Sequence, residues 1–191
     1  VPSLERRVKG TLFVEYVRMI RGHKAADWSA HLRPEEMSYL VRRVEPDSWY
    51  PMDSFERMGL AILSVLAKDD LEGVRAFGRA SVDSLCRVHP ELLAPGDPRD
   101  TLMRFQVLRR SFFNYAALAI HAISDEEASF DISYGMTHAA EEAASWQTLG
   151  FVERLLEVAG AQAVTAWFSA CAWKGDLVTV AELRWELPLL P

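Results

Sequence analysis

The chain has 191 residues, 50% of them hydrophobic and 25% charged, with a formal net charge of -6. This composition is that of a globular protein rather than a disordered one, and the length suits a single domain, 1–191, burying roughly 70% of its unfolded surface. The acidic balance argues against nucleic acid as a partner and against anionic membranes. No apolar run reaches the ~18 residues of a membrane span. Cys86 and Cys171 lie far apart and outside any CxxC pair, so they read as free thiols of a reducing compartment. No signal peptide precedes Glu5-Arg6-Arg7, and the expected location is cytoplasmic.

Taken in order, Lys9 to Gly22 reads as a first helix with a broad apolar side at Leu12, Val14, Tyr16, Val17, Met19 and Ile20. A short amphipathic segment, His23 to Leu32, centres on Trp28. Pro34 opens the next helix at its first turn, with Glu35 and Glu36 suited to the positive end of the helix dipole. Met37, Leu40, Val41 and Val44 are its expected buried side. Glu45 to Pro51 reads as a loop. The helix over Met52–Lys68 has the clearest period, with Met52, Phe55, Met58, Gly59, Ile62, Leu63 and Leu66 on one stripe.

Asp70 is expected to cap a helix running to about Val88. Within it, Gly78 costs roughly 1 kcal/mol against Ala, which predicts close approach of another backbone or a large ring. A loop with three prolines follows, then a helix over Arg99–Asn114 with Leu102, Phe105, Leu108, Phe112 and Phe113 inward.

From Tyr115 to Glu186 the pattern changes to ββαββ. Ser124-Asp125-Glu126-Glu127 is the turn of a first hairpin, since Ser and Asp bond readily to nearby backbone. His138 to Ala159 is helical and ends at Gly160. The second hairpin turns at Lys174-Gly175-Asp176. In its last strand Leu177, Thr179, Ala181, Leu183 and Trp185 share the core face, by the period of two. The predicted fold class is α+β: about five N-terminal helices (9–114) packed on a C-terminal ββαββ antiparallel sheet (115–186).

Chemistry finds little support. There is no G-x-S-x-G, no phosphate-cradling glycine motif and no H-x-x-x-H or H-E-x-x-H spacing. His23, His31, His89, His121 and His138 are scattered, and His121 is expected to sit at a sheet surface. Asp125-Glu126-Glu127 and Glu141-Glu142 read as a solvated turn and a helix N-terminus that welcomes negative charge, against paired acid–base catalysis. Arg104, Arg109 and Arg110 form a basic helix side: a solvated face, or a site for an acidic partner. The aromatic residues are more suggestive. Trp28, Trp49, Tyr50, Trp146, Trp167, Trp173 and Trp185 fit either a large-residue core or an apolar cavity between helices and sheet.

The end of the chain carries a resemblance. Leu149 to Glu157, Ala163 to Cys171, Gly175-Asp176 and Leu183-Arg184-Trp185 resemble the C-terminal signature of a ligand-binding superfamily. It comprises haem nitric-oxide-binding domains, vinyl-reductase-type small-molecule domains and Golgi-transport TRAPP subunits. In the front half, Val8-Lys9-Gly10, Trp49-Tyr50-Pro51 and Phe77-Gly78-Arg79 are similar to a myxobacterial paralogous family placed near it. The resemblance implies a pocket between helices and sheet and a sensing, carrier or assembly role rather than catalysis.

Haem-binding members carry Tyr-x-Ser-x-Arg for the haem carboxylates. That motif is absent here, so no haem and no other cofactor is expected. The TRAPP-type members can carry an acyl chain on cysteine, a role the sequence assigns to neither Cys86 nor Cys171. The expected function is a non-enzymatic small-molecule-binding or regulatory sensor module. Its pocket is expected between the 52–68 and 70–88 helices and the sheet, and its candidate residues are Trp49, Tyr50, Phe77, Trp167 and Cys171. A hydrophobic small molecule, a protein partner or a second copy are the expected partners. The alternative is a structural adaptor whose pocket is filled by its own side chains; an enzyme is the third reading.

Overall fold

The structure, a computed structural model, describes residues 5–188. The elements in order are β1 (Arg7–Lys9), α1 (Gly10–Gly22), α2 (Pro34–Val41), β2 (Trp49–Pro51), α3 (Met52–Val65), α4 (Leu71–Val88), α5 (Pro98–Leu108), β3 (Leu118–Ile123), β4 (Glu127–Ile132), α6 (His138–Val158), β5 (Gln162–Ala170) and β6 (Thr179–Glu186). The class is α+β, as expected. The contacts group the chain into two compact units. One holds the chain up to Asp70 with Arg110–Ala116, the other Leu71–Arg109 with the chain from Ala117 onward. Helices α1–α3 belong to the first unit, and α4 and α5 are grouped with the sheet in the second.

In the first unit, α1–α3 accompany a two-stranded sheet that the sequence reading did not foresee. Val8 stands opposite Tyr50 and Lys9 opposite Trp49. Three-residue strands are too short to display a period of two, so this pair hid within an expected helix start and loop. The core is aromatic. Phe13 stacks on Tyr50 with centroids 4.4 Å apart and meets Tyr39 edge-on at 4.9 Å, while Tyr16 stacks on Phe55 at 4.3 Å. Such pairs contribute about 0.5–1.5 kcal/mol each beyond the area they bury.

Helix α2 departs from its predicted phase. Val41, expected inside, is 88% exposed, whereas Glu36 and Tyr39 are buried. Polar anchors set this phase. The Glu36 carboxylate accepts the Arg33 N–H at 3.0 Å and the Ser54 hydroxyl at 3.0 Å, and lies 3.2 Å from the Arg57 guanidinium. Arg21 donates to the carbonyls of Tyr39, Leu40 and Arg42, satisfying acceptors that a helix end leaves open. Helix α3 keeps the predicted stripe, with Met52, Phe55, Met58 and Ile62 buried, but stops at Val65.

The second unit is built on an antiparallel sheet in the order β3-β4-β6-β5. Helices α5 and α6 contact the sheet, and α4 packs on α6. The acidic turn forms as predicted: the Ser124 hydroxyl accepts N–H groups of Glu126 and Glu127. On β6, Thr179, Ala181, Leu183 and Trp185 are buried as read from the alternation. Leu177, assigned to the same face, is fully exposed. The strand begins only at Thr179, after a 3-10 turn over Ala172–Lys174 that ends at Gly175 with φ +105°. Both outer strands break register, β3 between Ile120 and Ala122 and β5 at two places.

Candidate functional site

The most tightly built part of the second unit is the α4–α6 contact. A Cβ placed on Gly78 would lie 1.9 Å from the Gln147 carbonyl oxygen, and one on Gly150 would lie 2.1 Å from the Arg75 carbonyl oxygen. The two helices therefore touch backbone to backbone. The close approach predicted at Gly78 is met, and its counterpart on α6 is Gly150.

Arginines and glutamates spaced four apart flank this contact. Arg75 makes a paired hydrogen bond to the buried Glu153 carboxylate, and Arg79 reaches Glu157 at 2.7 Å. The Glu153 carboxylate raises the Arg75 guanidinium above its ordinary value. Burial pushes the Glu157 carboxyl up, but hydrogen bonds from Arg79 and Arg154 outweigh it and leave the group below the usual range. The sequence signal for this ladder was Arg-x-x-x-Arg on one helix and Glu-x-x-x-Glu on the other, at the one-turn spacing that places side chains on one face.

Glu141 lies in the first turn of α6, at the helix N-terminus where it was read. It is buried, and its carboxylate accepts the N–H groups of Tyr134 at 2.7 Å and Met136 at 2.9 Å. The residue fastens the β4–α6 connection to the helix. Tyr134 is itself buried, its hydroxyl 2.6 Å from that of Thr148.

The candidate residues take different positions. On β2, Tyr50 enters the aromatic core and its hydroxyl accepts the Glu45 N–H at 2.8 Å. Trp49 is 38% exposed, with the Lys9 ammonium 4.9 Å from its ring centre. In the second unit, Phe77 is half-buried on α4. Trp167 is 39% exposed on β5, with the Arg184 guanidinium 5.4 Å from its ring centre. Cys171 is buried where β5 meets the 3-10 turn. Its N–H donates to the Asp176 carboxylate at 2.7 Å, and the Asp176 N–H returns to the Cys171 carbonyl at 3.3 Å. Trp167 on β5 and Cys171 just beyond its end thus differ in exposure.

Burial raises the Cys171 thiol, with Asp176 and Glu142 adding to the effect and Lys174 opposing it. Burial likewise raises Cys86, helped by Asp83. Both are protonated at neutral pH, the state in which a thiol is a poor nucleophile and a poor metal ligand.

Among the described residues, no group of three His, Cys, Asp or Glu side chains could hold a metal ion. His121 lies on the sheet surface as predicted, 2.6 Å from Asp131. A small apolar cavity of about 10 Å³ lies in the second unit, lined by Leu102, Phe105, Leu118, Ile120, Phe130 and Val152 among others. A drug-sized ligand needs roughly 300–1,000 Å³, so this void is a packing gap. No helix of the described residues is long and apolar enough to cross a membrane.

Antiparallel sheet, helices and order of elements together define an α+β domain of known type. No protein-family model and no curated protein sequence matches the chain. Solved structures do. The chain is similar to a point mutant of the T. tengcongensis H-NOX protein, with 12% identity, 95% of this chain and 100% of that one covered, and a TM-score of 0.63. It is similar to an S. oneidensis H-NOX protein in the Fe(II)NO ligation state, with 10% identity, 93% and 99% coverage and a TM-score of 0.64. A point mutant of the K. algicida H-NOX protein, in its Fe(II) unliganded form, gives 12% identity, 95% and 98% coverage and a TM-score of 0.65. The chain has the H-NOX fold over nearly its whole length, in agreement with the resemblance to haem nitric-oxide-binding domains read from its end.

Proposed function

We propose that this chain is a non-enzymatic sensor or regulatory module that takes a hydrophobic small molecule as its input. The observation that carries this reading is the likeness to H-NOX domains along 93–96% of the chain, a fold whose solved examples include a nitric-oxide-ligated protein. Trp49 and Tyr50 in the first unit, and Phe77, Trp167 and Cys171 in the second, are the side chains proposed to respond to the ligand. Native mass spectrometry of protein purified from its own cells, together with thermal unfolding across a panel of uncharged hydrophobic compounds, tests the reading. A co-purifying small molecule or a dose-dependent rise in unfolding temperature is the expected result; the absence of both overturns it.

A second reading has an observation in its favour. One apolar void of the second unit, among Leu102, Phe105 and Val152, measures about 10 Å³, and Phe13, Tyr16, Tyr39, Tyr50 and Phe55 pack together in the first. A module with filled interiors would act as an adaptor through its surface. Silence in the ligand panel would favour this reading over the first.

A further inference from the structure

We infer that this chain keeps the H-NOX fold without the means to hold an iron porphyrin. The solved neighbours include proteins recorded with Fe(II) and one study of haem distortion, so the residues here can be tested against that group. Two requirements decide the matter: an axial ligand for the iron and positive or hydrogen-donating partners for the haem carboxylates.

Protein ligands to haem iron are a histidine, a cysteine thiolate, a tyrosine, or methionine together with histidine. None of the five histidines is buried: His23, His31, His121 and His138 are exposed and His89 half-buried. Three of them are already engaged at the surface, His23 with the Met19 carbonyl at 2.8 Å, His89 with Glu91 at 3.1 Å and His121 with Asp131 at 2.6 Å. Both cysteines are held as thiols by burial. Tyr16, inside the aromatic core, is pushed well above the ordinary phenol value by burial, which disfavours a tyrosinate.

The carboxylate side is unfavourable as well. None of the five tyrosines begins a Tyr-x-Ser-x-Arg sequence. The deeply buried charged side chains are Glu36, Glu141 and Glu153, and no described lysine, arginine or histidine is buried to the same degree. The half-buried Arg57 and Arg75 face Glu36 and Glu153.

Titration of the full chain with ferric hemin tests this. The expected result is an absorbance that rises without a 1:1 break and an unfolding midpoint that hemin does not raise. A saturable 1:1 complex with a sharpened Soret band overturns the inference, whether it is lost on a single substitution such as His138→Ala or survives every histidine substitution. The inference and the proposed function can fail separately: hemin binding would leave the uncharged-ligand panel to be read on its own, and a silent panel would leave the hemin result standing.

Discussion

Gly78 and Gly150 are reciprocal. Each removes the Cβ that would strike the other helix, Gly78 against the carbonyl of Gln147 and Gly150 against that of Arg75. Replacing glycine by alanine inside a helix ordinarily stabilises by roughly 1 kcal/mol. Here the added methyl would meet backbone oxygen, which cannot swing aside. Gly78→Ala and Gly150→Ala should each destabilise by about 1–3 kcal/mol, the usual cost of overpacking, measured by urea unfolding. The double variant should fall short of the sum, because separating the helices once relieves both clashes. A gain in stability from either single change would refute the contact.

The Arg79–Glu157 pair makes a pH prediction. The folded-state pKa of Glu157 lies below its ordinary value, so the unfolded chain binds this proton more readily. The stabilisation is fully present above the ordinary glutamate value of about 4.3 and is lost as pH falls through the lower folded value. Glu157→Gln should therefore narrow the stability difference between pH 6 and pH 3. The effect should stay below ~1 kcal/mol, because the pair is partly solvated. An unaltered slope in this acid window would show that the pair contributes nothing.

Glu141 holds two backbone N–H groups of the β4–α6 connection. Glu141→Ala should leave both donors without their acceptor and cost about 1–3 kcal/mol. Hydrogen exchange locates the effect: the Tyr134 and Met136 amides should lose protection, while the amides of β6 exchange at a rate set by global stability alone. Unchanged protection at those two amides would mean that the carboxylate is not their anchor.

Ser145 is fully buried on α6, and its hydroxyl has no hydrogen-bond partner in the structure. A buried polar group left unpaired is costly, and alanine is the better helix former. Ser145→Ala should raise stability by up to ~1 kcal/mol in thermal or denaturant unfolding. A loss of more than that would reveal a bound water or another partner at this position.

What the sequence disclosed follows physical lines. Helix α3 and strand β6 were legible because their buried side chains follow a regular period, at Met52, Phe55, Met58 and Ile62 and at Thr179, Ala181, Leu183 and Trp185. The orientation of α2 was not, because Glu36 turns inward to meet Ser54 and Arg57, and apolar periodicity cannot register a buried carboxylate. Strands β1 and β2 are too short for any pattern. At the candidate site, Gly78 announced the close approach but not its partner. Gly150 sits in an equally good helix and needed the structure to be paired with it. Arg75, Arg79, Glu153 and Glu157 carry no apolar period, and only their matched spacing hints at a ladder between helices.

The register breaks in β3 and β5 have a consequence for assembly. An outer strand can add a neighbour only where its outward N–H and C=O groups stand in regular succession, and a bulge interrupts that succession while twisting the strand away. On β3 the Gln106 side chain also donates to the Ile120 carbonyl at 3.4 Å, occupying an acceptor beside the break. Both edges of the four-stranded sheet are thereby less suited to strand addition.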